Sequence, residues 1–254
     1  MDRMKELKPP ILLFLLGFVG ILSIIPLIPQ LLALQPEKPP MSLELIQGIA
    51  VAQSSVLLFL MVWVGAVFAK KVGLTSPVIL AITRSTNIYK ELKPQIVPAI
   101  VCGIAGGVFL IIFFKAVSGY LPPELIIAGE KLTPPWYTKI LYGGITEEIL
   151  IRWGLMSFFV WVIYRITQQK NTEIKTHNFI IAILISSLIF GVGHLPVAFS
   201  LSPEVTIYLV SYIIIGNAAF GFIAGFLFWK RGLECAIGAH MVAHITMILG
   251  NGVA

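Results

Sequence analysis

Seven long apolar runs divide the chain, and short polar segments separate them. A helix that spans a membrane needs about 20 mostly apolar residues, and each run is close to that length. The pattern therefore predicts an all-α, polytopic transmembrane helix bundle that forms a single domain over residues 1–254. Pro26 and Pro29 predict a kink in the first run. The predicted spans cover residues 10–34, 43–69, 95–115, 136–164, 178–196, 205–229 and 233–250.

Lysine and arginine residues alternate between the two sides of the predicted bundle. Thirteen of them flank the runs on one side and four lie on the other. Because basic residues concentrate on the cytoplasmic side of membrane proteins, this asymmetry predicts a cytoplasmic N-terminus and an external C-terminus. The cytoplasmic loop 70–94 contains the apolar patch 77–82 followed by Arg84, Lys90 and Lys93. This arrangement predicts an amphipathic segment on the membrane surface.

The composition excludes a soluble domain. Hydrophobic residues make up 57% of the chain and charged residues only 12%, whereas about a quarter of a soluble domain is charged. The net charge of +6 is explained by membrane orientation, so we expect lipids and no nucleic acid as partners. We expect an integral, multi-pass protein of the inner (plasma) membrane of a bacterium.

Three charged residues lie in the middle of the fourth run: Glu147, Glu148 and Arg152. A charge at the centre of a membrane helix costs roughly 2.5 to 3.5 kcal/mol on insertion scales, so such groups are usually paired and functional. Residues four apart share a helix face, which predicts an ion pair between Glu148 and Arg152. Glu147 points about 100° away from Glu148. It is unpaired within its own helix and is therefore the better candidate for a base.

Three of the four histidines also lie in apolar runs. His194 ends the fifth run, and His240 and His244 share one face of the last run, a spacing that also suits metal ligands. Met241 stands where the HExxH zinc motif has its glutamate, so the pair alone is weak evidence for a metal. A zinc site built from these histidines and Glu147 is a second interpretation of the same residues.

These residues resemble the signature of the CAAX prenyl endoprotease and bacteriocin-processing (CPBP or Abi) family of intramembrane proteases. That signature has two glutamates followed by an arginine, then a phenylalanine four residues before a histidine, then a histidine four residues before an asparagine or another polar residue. The resemblance covers residues 135–250, which are the predicted catalytic core. The matching residues are Glu147, Glu148 and Arg152, then Phe190 and His194, then His240 and His244.

The resemblance implies an intramembrane endopeptidase of glutamate type that needs no cofactor. Glu147 with His194 would activate a water molecule, and His240 and His244 would stabilise the oxyanion or support the site. The ion pair and Phe190 would have supporting roles. His244 departs from the asparagine of many members, which weakens the oxyanion assignment there. The implied partner is a peptide or protein substrate, lipidated or not.

Three other functions are compatible with parts of the pattern. A zinc-dependent version of the same hydrolysis uses the same side chains. A non-catalytic membrane scaffold or bacteriocin self-immunity protein would need the charged cluster only for structure. A transporter fits less well, because transporters spread polar groups along a route through paired halves, whereas the ionisable residues here crowd into the second half.

The sixth run carries a further polar residue and a glycine series. Asn217 predicts an interhelical hydrogen bond. Gly216, Gly221 and Gly225 resemble the glycine-rich helix of the family, and close packing of small residues explains them equally well.

Overall fold

The computed structural model describes residues 2–35, 40–169 and 172–250, and every regular element in these ranges is helical. The α-helices are α1 Asp2–Ser23, α2 Ile28–Ala33, α3 Leu43–Phe68, α4 Pro77–Arg84, α5 Ile88–Val117, α6 Pro123–Lys131, α7 Trp136–Thr138, α8 Ser157–Thr167, α9 Thr176–Gly193, α10 Leu195–Leu201, α11 Ile207–Arg231 and α12 Leu233–Gly250. Three short 3₁₀ turns cover Ile25–Leu27, Ala69–Val72 and Ser118–Tyr120.

The described residues form seven helical stretches that are long and apolar enough to cross a membrane. The prediction of a seven-span, all-α membrane protein is therefore confirmed, while the side on which each end lies stays a prediction. The spans cover Glu6–Ala33, Leu43–Val72, Ile88–Tyr120, Trp136–Thr167, Thr176–Leu201, Ile207–Arg231 and Leu233–Gly250.

The first span is broken where its prolines predict a kink. Helix α1 ends at Ser23, a 3₁₀ turn covers Ile25–Leu27, and α2 begins at Ile28. Proline has no N–H to donate and its ring clashes with the preceding turn, so Pro26 cannot continue α1. The predicted kink is confirmed.

The third span begins earlier than the apolar pattern predicts. Helix α5 starts at Ile88 rather than at residue 95, because the side chain of Asn87 caps it by accepting a hydrogen bond from the Lys90 N–H at 3.1 Å. The cap satisfies a backbone donor that the first helical turn leaves free. The predicted loop 70–94 is therefore largely helical, and its apolar patch lies in α4.

Glu234 joins α4 to the first turn of α12. One of its carboxylate oxygens accepts hydrogen bonds from the Ser76 hydroxyl at 2.6 Å and from the Ile79 N–H at 2.9 Å. Gly232 precedes α12 with a φ of +109° and packs so closely on Pro77 that a Cβ at this position would overlap the proline ring. The short helix is thus held on the end of the last span.

The fourth span lies at the centre of the bundle, where its neighbours approach it closely. The Thr146 hydroxyl donates to the Gly17 carbonyl of α1 at 2.8 Å, and the Trp153 indole donates to the Val62 carbonyl of α3 at 3.2 Å. Gly65 leaves room for the Trp153 ring. These contacts fix the span that carries both glutamates.

The fourth span is wound as a π-helix over Lys139–Glu147 and again over Ile149–Met156. In this wider form each backbone N–H bonds to the carbonyl five residues earlier, and short π-helical segments are frequent at functional sites. Here the wide winding includes or adjoins Glu147, Glu148 and Arg152. Sequence periodicity did not predict it.

In the sixth span, the polar residue bonds to its own helix, whereas two of the glycines pack against the fifth span. Asn217 donates to the Ile213 carbonyl of its own helix at 2.8 Å, so the prediction of an interhelical hydrogen bond is wrong. The side-chain amide reaches the carbonyl four residues earlier in its own helix, so this donor needs no partner on a neighbouring helix. Gly221 and Gly225 lie against Ser187 and Ile183 of α9, which supports the packing explanation for these two glycines.

Candidate active site

The ion pair predicted between Glu148 and Arg152 is confirmed. Arg152 Nε lies 3.1 Å from Glu148 Oε2, and both side chains are completely buried. The guanidinium N–H groups are not directed at an acceptor among the described residues, so the contact is an ion pair rather than a directed hydrogen bond. Two buried opposite charges reduce each other's insertion cost.

His240 of α12 bonds to the same glutamate. Its Nδ1 lies 2.9 Å from Glu148 Oε1. A carboxylate accepts, so the imidazole donates from Nδ1, and the ring is held in a fixed orientation. Glu148 therefore contacts one cation on its own span and one histidine on the last span.

Glu147 faces a different histidine. His194 Nε2 lies 3.8 Å from Glu147 Oε1, and both side chains keep some exposure, 34% for the histidine and 18% for the glutamate. The other ring nitrogen of His194, Nδ1, lies 2.8 Å from the Phe190 carbonyl. Since a carbonyl only accepts, Nδ1 carries a proton and a neutral ring presents its Nε2 lone pair to Glu147.

His244 contacts His240 on its own helix and Gly143 on the fourth span. Its ring stacks on His240 with centroids 4.8 Å apart and planes at 13°. Its Nε2 packs against Gly143, where a Cβ would overlap it. Gly143 lies four residues before Glu147, so His244 is placed beside the turn that leads to this glutamate.

Phe190 contacts both His194, which faces Glu147, and His240, which bonds to Glu148. Its ring centroid is 4.7 Å from the His194 ring and 6.2 Å from the His240 ring, both edge to face. The Arg152 guanidinium carbon lies 5.2 Å from the same ring. An aromatic face attracts a cation, more so when both are desolvated. All seven residues singled out in the sequence thus converge on one region.

Sequence reasoning missed three residues near this region. Phe220 packs on His240 with ring centroids 4.6 Å apart, and nothing in the sequence distinguishes it from other core aromatics. Gly143 and Gly144 give room for His244 and Met241. A glycine pair one turn before the two glutamates is a signal of close helix approach that could have identified them.

The candidate zinc ligands do not form a metal site in this arrangement. Within residues 2–35, 40–169 and 172–250, no three His, Cys, Asp or Glu side chains are placed to hold a metal ion together.

Comparison with known proteins identifies a family domain in the second half of the chain. Residues 130–246 match the family described as Type II CAAX prenyl endopeptidase Rce1-like. Residues 130–246 form a domain of the Rce1-like CAAX prenyl endopeptidase family. No curated protein and no solved structure gave a significant match to the chain.

The Rce1-like domain contains all the residues of the three motifs. It begins in α6 and continues through the fourth, fifth and sixth spans into α12. The family resemblance predicted from those motifs is confirmed. The first three spans precede the matched domain, and two of them pack directly on the fourth span.

Proposed function

We propose that the protein is an intramembrane endopeptidase in which Glu147 and His194 activate the attacking water. The observation that carries this proposal is the 3.8 Å separation between Glu147 Oε1 and His194 Nε2. Both side chains are partly exposed, whereas the Glu148 and Arg152 side chains are completely buried. The membership in the Rce1-like family supports peptide-bond hydrolysis.

The geometry suits a water molecule that donates to both groups. A carboxylate oxygen and the unprotonated nitrogen of an imidazole are both acceptors, so they do not bond to each other. A water molecule has two donors and satisfies both. Removal of one of its protons during attack on a peptide carbonyl is general base catalysis, which typically contributes 10²- to 10⁴-fold to a rate.

His244 is proposed to support the negative charge that develops on the carbonyl oxygen, and His240, whose Nδ1 donates to Glu148, is proposed to support the site by stacking on His244. Both rings lie on α12, and stacking keeps them in one orientation. Donors that are positioned before the reaction stabilise an oxyanion without reorganisation. In this scheme Glu148 and Arg152 act through His240 by holding its ring, and they do not contact the substrate.

The substrate class follows from the family and from the setting. Rce1-like membership supports a peptide or protein substrate, and the site lies within membrane spans. We propose that the substrate reaches it from the bilayer or its surface. Neither the sequence nor the site identifies a group that selects a prenyl chain.

The proposal is tested by an activity screen of the purified protein. Prenylated and unprenylated peptides of the same sequence are incubated with the wild-type protein and with Glu147→Ala. We expect the wild-type protein to cleave at least one of the two kinds of peptide and the Glu147→Ala variant to cleave neither. Cleavage by both proteins at equal rates would rule out Glu147 as the base.

A further inference from the structure

A cationic cavity lies at one end of the bundle, away from the proposed active site. Its volume is about 410 Å³, within the range of small-ligand sites. Arg165, which lines it, follows Glu147 by 18 residues on the same span and so lies several helical turns from it. The lining residues are Lys71, Trp161, Tyr164, Arg165, Thr172, Glu173 and Ile174.

Two cations of this cavity lie close to the same indole ring. Lys71 Nζ lies 5.7 Å from the centroid of Trp161, and Arg165 Cζ lies 5.9 Å from it. Lys71 Nζ is also 5.0 Å from the Phe68 ring, which packs on Trp161 with centroids 4.7 Å apart. Cation–π contacts restrict the positions of both side chains. The two positive charges are thereby held near the same aromatic ring.

Neither cation forms an ion pair with a carboxylate. Among the described residues, no carboxylate lies within 4.0 Å of the charged nitrogens of Lys71 or Arg165. Glu173 lines the cavity together with these two cations, so the lining carries one net positive charge. The Tyr164 hydroxyl lines the same space and adds a hydrogen-bond donor.

The position of the cavity indicates where its ligand comes from. Lys71 lies in the last turn of the second span and Arg165 in the last turn of the fourth, so both are at the membrane surface. Ile166, next to Arg165, is 78% exposed, which suits contact with lipid chains. Basic pockets between spans bind the head groups of anionic lipids, and a tryptophan at a span end lies at head-group level.

We infer that this cavity binds the phosphate head group of an anionic phospholipid, with Lys71 and Arg165 supplying the positive charge and Trp161 lying beside both cations. The shared chemistry is a phosphate ester, and we commit to the membrane lipid rather than to a soluble phosphate. The inference does not depend on the proposed peptidase activity, because binding is measured without a substrate.

The test uses the full-length protein purified in detergent and titrated with phosphatidylglycerol, with binding read by native mass spectrometry. Phosphatidylcholine is the comparator lipid. The variant is Lys71→Gln with Arg165→Gln, and the matched control is Lys90→Gln with Lys93→Gln. The control also removes two cations, one of which lies 5.9 Å from the Tyr89 ring, and neither lines the cavity.

We expect the cavity variant to bind phosphatidylglycerol about tenfold or more weakly, since it loses both cations that line the cavity. The control should bind like the wild-type protein, and each single cavity substitution should have an intermediate effect. Equal phosphatidylglycerol binding by the cavity variant and the wild-type protein would overturn the inference. Displacement of the lipid by inorganic phosphate at equal concentration would also overturn it, in favour of a soluble ligand.

Discussion

His240 donates a hydrogen bond from Nδ1 to Glu148 at 2.9 Å, whereas His194 faces the adjacent glutamate, Glu147. The two adjacent carboxylates therefore belong to different groups of side chains. One group is fully buried and contains Arg152. The other keeps some exposure, which a residue needs if it is to meet water and substrate.

Removal of the buried carboxylate should destabilise the protein. In Glu148→Ala the Arg152 charge stays buried without its partner, and breaking a buried ion pair typically costs about 3–5 kcal/mol. We expect a large fall in the thermal unfolding temperature and in the amount of folded protein. Glu130→Ala, which removes an exposed carboxylate of α6, is the control and should change stability little. An unaltered unfolding temperature in Glu148→Ala would contradict the structural role.

Gly143→Ala should displace His244. The added methyl group overlaps the imidazole Nε2, and a displacement of about 1 Å in a catalytic group can lower a rate on the order of 100-fold. The measurement is kcat on a cleaved peptide, with Gly48→Ala as control, because a Cβ there meets nothing. The smaller side chain of His244→Asn, added to Gly143→Ala, should relieve the overlap and restore stability. Full activity in Gly143→Ala would show that the position of His244 does not matter.

The sequence was sufficient for the spans and for one ion pair. Apolar run length predicts the seven spans, and the four-residue spacing predicts the contact between Glu148 and Arg152. The sequence does not predict contacts between side chains of different helices, because these depend on how each helix is rotated about its axis. Nothing in the residues says whether His240 meets Glu147 or Glu148, and hydrophobic periodicity does not distinguish π winding from α winding in the fourth span.

Glu234→Ala should release α4 from the last span. The substitution removes the acceptor for the Ser76 hydroxyl and the Ile79 N–H, and hydrogen bonds to charged groups contribute about 1.5–3 kcal/mol each. We expect faster hydrogen exchange of the α4 backbone amides. Glu234→Gln keeps an acceptor oxygen and should protect α4 better. Identical exchange in Glu234→Ala and the wild-type protein would mean that this contact does not hold α4.

Peptide cleavage should survive removal of divalent metals. In the glutamate mechanism the water is activated by Glu147 and His194, and no step needs a metal ion. The measurement is the cleavage rate of the purified protein before and after treatment with a strong chelator, with an equal rate expected. Activity that disappears with the chelator and returns with zinc would establish the zinc-dependent alternative.

The central claim is that Glu147 is the base. The most direct test is the cleavage rate of Glu147→Gln, measured at matched concentrations of folded protein with the unfolding temperature recorded in parallel. The account predicts a rate at least about 100-fold lower, as for loss of a general base, with an unfolding temperature close to that of the wild-type protein. Wild-type cleavage by Glu147→Gln, together with loss of cleavage in a folded Glu148→Gln, would contradict it and reverse the two roles.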